Sequence, residues 1–508
     1  MRLVMLGIDA AEQALIDSLI ARGRMPTLAR LRQQGTSGLL QSPADLYSGA
    51  VWPTFYTGQR PAWHGVYHHK LWQPHRMCCI APDESTYRVR PFWERFGPAV
   101  RTCIADVPLV LGRARAGHGI YLSGWAEHDR APTRFAPGPL RREIERQVGR
   151  RVMPPENFGA QSLRGLDRLL GELLRATEQM QRLALALLRR EPWEFACIVF
   201  GTAHRAGHYL WDTMQARDRE TGAPELLVRL TGCIERVYEA IDAALSELLA
   251  QIGAETRVIV FSLHGMGPNP GWSEVVPGLL KARHAALSGK VMRSGSLYTL
   301  RNALVGVARP VLHFVPPALS ARLLPLWTAR MFDWRSTREF PLPMDMTGLV
   351  RINLRGRERD GIVEESDYDG LCDELERFFD SLRDAASGQG IVSSIVRAYA
   401  NTPVQAPHRI GQPDLIVRWR ETRTHETPVL SSSLLPTFRY EVPRWLASGR
   451  SGNHLPHGWF TAAGPGIARN APCGLGNILD LAPTARALLG LAPDETLQGR
   501  VLALVPAT

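Results

Sequence analysis

The strongest constraint on this chain comes from short strands that are apolar along their length: Leu3-Val-Met-Leu-Gly-Ile8, Phe195-Ala-Cys-Ile-Val-Phe200 and Arg257-Val-Ile-Val-Phe-Ser262. A strand that alternates apolar with polar residues buries one face, whereas a continuously apolar one is buried on both. Long helical stretches separate these strands. Residues 161–190 place Leu163, Leu166, Leu169, Leu170, Leu173 and Leu174 on one side, and 225–252 form a second long helix. A helical stretch carrying Leu15, Leu19, Leu28 and Leu31 stops at Gly35, a short helix runs from Val51 to Gly58, and Arg101–Val107 reads as another strand. Alternation of this kind specifies an α/β fold: a mostly parallel central sheet with helices on both faces.

The alternation breaks at 270–345, where Pro310, Pro316, Pro317 and Pro325 punctuate short helical pieces. It resumes with the strand Leu349–Leu354, the helix 364–383, the strand Asp414–Val417 and a closing helix after Asn477. The expected organisation is one core, 1–269 and 346–508, carrying a helical cap or insertion at 270–345. The apolar residues of that insertion, among them Leu297, Tyr298, Leu304, Phe314 and Trp327, are expected to pack onto the core or line a substrate pocket.

Composition excludes more than it specifies. The net charge is +11, but only Lys70, Lys281 and Lys290 are lysines, and the arginines are scattered rather than gathered in a run. A nucleic-acid binder concentrates its basic residues on one face or helix, so no nucleic-acid partner is expected. No apolar run reaches the length of a bilayer span. The apolar start is shorter than a secretory signal and ends on Asp9, so it reads as a buried strand. Seven cysteines, with no Cys-x-x-Cys spacing, argue against a disulfide framework and point to the cytoplasm. The oligomeric state is left open.

Parallel sheets bind ligands at the carboxyl ends of their strands. Three chemically able side chains, Asp9, His204 and His264, fall just past such ends. His204 and His208 are four residues apart, which on a helix turns both imidazoles to one face, a spacing suited to one metal ion. Singly, each has a bland explanation: a helix cap, a solvated histidine pair, a loop histidine. Their coincidence at strand ends is what makes a site.

At this point the chain resembles the alkaline phosphatase superfamily, and within it the type I phosphodiesterase/nucleotide pyrophosphatase-like branch. Gly7-Ile-Asp9 resembles the opening strand with its acidic metal ligand. Ser48, ahead of Trp52-Pro-Thr54, Thr57-Gly58 and Pro61-Ala-Trp-His64-Gly65, resembles the nucleophile segment, with Ser48 in the attacking position. His204 and His208 match the Asp-x-x-x-His element, and His264-Gly-Met resembles the Asp-His-Gly-Met/Phe loop. His454 in Gly452-Asn-His-Leu-Pro-His-Gly458, followed by Gly464-Pro465-Gly466, resembles the final metal histidine. Arg351–Arg357 and the tail from Asp480 through Gly499-Arg500 are similar to the branch as well.

The resemblance implies one metal on the residues at 204, 208 and 454, and another on Asp9, the nucleophile oxygen and the residues at 263 and 264. Two departures stand out: the branch has carboxylates where this chain has His204 and Leu263, and Ala10 replaces a usual Gly. Three imidazoles still suit a catalytic zinc, while the second site shrinks to Asp9, Ser48 and His264. Fewer carboxylates favour zinc over manganese or magnesium. The implied activity is metal-dependent hydrolysis of a small phosphate or sulfate ester, with Ser48 attacking to give a phospho-enzyme. A formylglycine sulfatase is disfavoured, since Ser48-Gly-Ala-Val-Trp52 does not fit Cys/Ser-x-Pro-x-Arg. The alternative is a catalytically impaired relative serving as a binding or scaffolding protein. Arg205 is a candidate phosphate contact or a solvated residue, and His457 a candidate leaving-group acid or a surface histidine.

Overall fold

The computed structural model describes residues 1–81, 90–110, 118–126, 133–154, 159–219, 221–289, 323–326, 328–329, 331–398 and 411–504. At its centre is a ten-stranded, mostly parallel mixed sheet. The first strand, Arg2–Ile8, lies between Phe195–Phe200 and Thr256–Ser262 and runs parallel to both. Beyond Phe195–Phe200 come Thr102–Ala105 and Gly119–Ser123, also parallel, and then Arg134–Ala136, antiparallel at the edge. On the other side His457–Ala463 pairs antiparallel with Thr256–Ser262, and Thr36–Gln41 pairs antiparallel with it in turn. Every residue of Phe195–Phe200 is buried, as its unbroken apolar sequence requires. The α/β reading of the sequence therefore holds.

Helices cover both faces and bury two separate apolar cores against the sheet. The Leu163–Arg190 helix opens on Ser162, whose hydroxyl accepts from the Gly165 N–H, and it turns its leucine stripe inward. Two stretches that read as continuous are broken. The segment 225–252 divides into Pro224–Leu230 and Cys233–Ile252, because Gly232 takes a left-handed φ of 64° between them. The first helical stretch divides into Gln13–Ala21 and Pro26–Gln34, where Gly23 at φ 71° ends one turn and Pro26 starts the next.

A smaller antiparallel sheet, in the order Glu339–Leu342, Gly348–Ile352, Leu415–Trp419, Val392–Arg397, lies apart from the central one. The helices Trp272–Ser288 and Tyr368–Asp380 share a core with it, in which Trp272, Val276 and Leu279 meet Val350, Leu375 and Phe379. Of the segment 270–345, residues 290–322, 327 and 330 lie outside the described residues. Leu297, Tyr298, Leu300, Leu304, Val305, Val311, Leu312, Phe314, Val315 and Trp327 fall among them. Among the described residues no helix is long and apolar enough to cross a membrane.

Candidate metal centre and active site

The carboxyl ends of three neighbouring strands deliver the first part of the site. Asp9 follows Ile8, His264 follows Ser262 and Leu263, and the fully buried helix Thr202–Leu210 begins directly after Phe200. Ala10 adopts φ 58°, a left-handed conformation that glycine takes without the cost a Cβ brings. Glycine would therefore fit this position after the acid more easily than alanine. His204 and His208 lie one turn apart on the helix, with ring centroids 4.6 Å apart. His454 arrives from a different direction, on the strand Gly452–Leu455, which pairs antiparallel with Gly265–Pro268 and sets Met266 opposite His454.

Two glycines let helix and hairpin meet. A Cβ on Gly452 would sit 2.1 Å from the Gly207 carbonyl oxygen, and one on Gly207 would sit 2.6 Å from Met266 Cγ. The close approach brings the Gly452 carbonyl within reach of His208, whose Nδ1–H donates to it at 3.0 Å. With Nδ1 protonated, the His208 Nε2 lone pair points inward, and among the described residues no hydrogen-bond partner meets that buried atom. His204 Nδ1 donates to Asp9 Oδ2 at 3.1 Å, which leaves Nε2 on the far side of the ring. That Nε2 faces His454 Nε2 at 2.9 Å. One donor atom from each of His204, His208 and His454 lies within 4.8 Å of the others. Three inward nitrogen donors, two of them oriented by an oxygen acceptor on the opposite ring nitrogen, match the donor set of a zinc site with an open position.

Electrostatics agree with the geometry. Burial pushes His208 and His454 well below the ordinary histidine value, and the Arg450 charge and the neighbouring imidazoles add to it. Burial also lowers His204, against the pull of Asp9. All three are thereby kept neutral, the form that ligates a metal. Burial works against the Asp9 carboxylate, but His204 and His264 outweigh it and hold the carboxyl well below the usual range. Asp9 Oδ1 accepts from the Trp52 indole N–H at 2.9 Å and lies 3.5 Å from His264 Nε2. His264 Nδ1 faces the Gly265 carbonyl at 3.1 Å.

Ser48 opens a short 3-10 turn, Ser48–Ala50, that leads into the helix Val51–Thr57. Its backbone is tightly placed: a Cβ on Gly49 would lie 2.5 Å from His68 Cα. Ser48 Oγ lies 3.7 Å from Met344 Sδ and lines a cavity of about 40 Å³ with Asp9, His204, His208, His264 and His454. Asp9, Ser48, His204, His208, His264 and His454 are thus brought to one small cavity. Leu263 is buried in the apolar core and offers no ligand atom. Arg205 is buried rather than solvated and donates to the Pro154 carbonyl at 3.2 Å. His457 is exposed at the start of its strand and is not among the lining residues.

Trp52, His69, Leu109, Asp345 and Arg450 also line the cavity, and sequence reasoning gave none of them a part in it. Trp52 was within reach, since it stands one helical turn after Ser48. The other four come from loops whose destination no periodicity reveals. Leu109 is held at φ 57°, an uncommon conformation for a branched residue.

Residues 3–399 match the family described as type I phosphodiesterase / nucleotide pyrophosphatase, and the chain belongs to that family. It is accordingly an enzyme of the phosphodiesterase/phosphatase type. Among solved structures, phosphonoacetate hydrolase from Sinorhizobium meliloti 1021 in complex with phosphonoformate is similar, at 14% identity over 95% of this chain and 94% of that one, with a TM-score of 0.50. Murine ectonucleotide pyrophosphatase / phosphodiesterase 5 in complex with AMP is similar at 10% identity, over 97% and 96% of the two chains, with a TM-score of 0.48. No curated protein sequence matches this chain.

Proposed function

We propose that this enzyme hydrolyses small phosphate esters with Ser48 as the nucleophile, beside a zinc ion held by His204, His208 and His454. The observation that carries the reading is the convergence of the three imidazoles, with the buried His208 Nε2 turned toward the other two rings and met by no hydrogen-bond partner among the described residues. When bound, zinc supplies a Lewis acid that lowers the pKa of a hydroxyl or water and offsets charge on phosphoryl oxygens. The residues do the rest. The Gly452 carbonyl fixes the His208 tautomer, and Asp9 holds the proton on His204 Nδ1. Trp52 holds Asp9 in place. Ser48 Oγ attacks phosphorus, the bond to the leaving-group oxygen breaks, and water then hydrolyses the phosphoserine. Asp9, Ser48 and His264 form the weaker second metal position, reduced by Leu263.

The insertion at 270–345 is proposed to shape the substrate side, which is supported by Met344 beside Ser48 and by Asp345 in the cavity wall. A cytoplasmic location is supported by seven free cysteines. A screen of phosphomonoesters, phosphodiesters and sulfate esters with zinc-loaded protein tests the reading. Turnover of a phosphate ester that disappears in Ser48→Ala is the expected result, and turnover that survives the substitution overturns the assigned nucleophile.

A further inference from the structure

A buried arginine shares the cavity with three imidazoles. Arg450, four residues before His454, has a side chain only 5% exposed, and its guanidinium pairs with Asp345 at 3.6 Å. Both partners are anchored through their backbones. Asn269 Nδ2 donates to the Arg450 carbonyl at 3.0 Å, and Asn453 Nδ2 donates to the Asp345 carbonyl and to Asn269 Oδ1 at 3.2 Å. Ser273 Oγ adds a second donor to the Asp345 carbonyl at 2.8 Å. The side chain is therefore a built part of the wall, on a strand-turn that also positions a histidine of the trio.

Its charge is shared with Asp345, and it lines the same cavity as the imidazole trio. A permanent cation beside a metal trio is repulsive, and the carboxylates lining the cavity are Asp9 and Asp345. An anion between Arg450 and a metal held by the trio would offset that repulsion. A planar guanidinium presents paired N–H donors that match the oxygens of a phosphoryl group. Arg450 and Ser48 line the same cavity. We propose that Arg450, held by Asp345, binds the non-bridging oxygens of the phosphoryl group during its transfer to Ser48. It would stabilise the charge that grows on those oxygens. The proposal rests on the reading that His204, His208 and His454 hold a metal beside Ser48.

The test measures inorganic phosphate binding to the zinc-loaded full chain by calorimetry, together with zinc content. Phosphate affinity is expected to fall on the order of 10–100-fold in Arg450→Gln. A smaller loss is expected in Arg450→Lys, with zinc retained in both and partial rescue of Arg450→Gln by added guanidinium. Asp345→Asn, which keeps the arginine and loosens its hold, is expected to weaken phosphate binding less than Arg450→Gln does. Unchanged phosphate affinity in zinc-loaded Arg450→Gln overturns the proposal. So does loss of zinc in both Arg450→Gln and Asp345→Asn, which assigns the pair to shaping the metal centre. Zinc-loaded wild-type protein that hydrolyses no ester overturns the hydrolase reading, whereas ester hydrolysis with phosphate affinity unchanged in Arg450→Gln overturns this proposal alone.

Discussion

Two buried polar clusters in this molecule invite comparison. In the smaller sheet, Asp414 accepts from Arg357 with both carboxylate oxygens at 2.7 Å, from the Tyr368 hydroxyl at 2.8 Å and from the Ile352 N–H at 2.8 Å. Glu358 accepts from Arg351 and, at 2.9 Å, from Arg357. Charges there are matched by opposite charges and hydrogen bonds, and the result is a locked junction between strands. At the ends of the central strands the imidazoles instead converge nitrogen on nitrogen, with lone pairs turned inward. A buried cluster that satisfies itself holds a fold, and one that leaves like groups facing each other is shaped for something that binds.

The contrast can be broken by substitution. Ser48→Ala should lower phosphate-ester turnover on the order of 10³-fold or more with zinc content unchanged, read by steady-state kinetics and metal analysis. Arg357→Met leaves Asp414 buried without its main partner. It should cost about 3–5 kcal/mol in denaturant unfolding, while the folded fraction keeps its zinc. If zinc were lost with it, the two clusters would not be independent. Trp52→Phe removes one donor from Asp9 and should reduce turnover about 10–100-fold through zinc affinity and His204 placement, with a smaller effect on stability.

Proton linkage separates the clusters more gently. Folded His204, His208 and His454 all titrate below their unfolded value of about 6.5. Unfolded chains therefore take up protons that the folded cluster refuses as pH falls below about 6.5, and stability is lost in that direction. His64, pushed down to about 3 by burial, adds to the same loss. Asp414 is held down to about 2, where the Arg357 charge outweighs the burial that opposes it. Its contribution is lost only as pH falls from the unfolded carboxylate value, about 3.9, through about 2. Thermal melts of metal-free protein should thus drop between pH 7 and 5 through the histidines.

Much of this was legible in the chain because both the strands and the ligands obey local rules. Unbroken apolar runs at 3–8, 195–200 and 257–262 can only be doubly buried strands, and Asp9, His204 and His264 stand just past their ends. The pair His204/His208 reads directly from helical spacing. What was not legible depends on distant approach. Nothing local tells that Gly207 and Gly452 allow contact, that Asp345 and Arg450 reach the same cavity, or that His457 turns outward while His454 turns in. The breaks at Gly23 and Gly232 are not legible, because a single glycine inside an apolar pattern is compatible with either a continuous helix or a left-handed turn.

The account stands on the three inward nitrogens, and zinc content tests them most directly. Full-length protein purified without chelator should hold one tightly bound zinc per chain, with a second bound more weakly. His208→Ala should lose the tight ion and retain its fold by circular dichroism. A wild-type protein that binds no zinc, or a His208→Ala variant that binds it as tightly as wild type, contradicts the account.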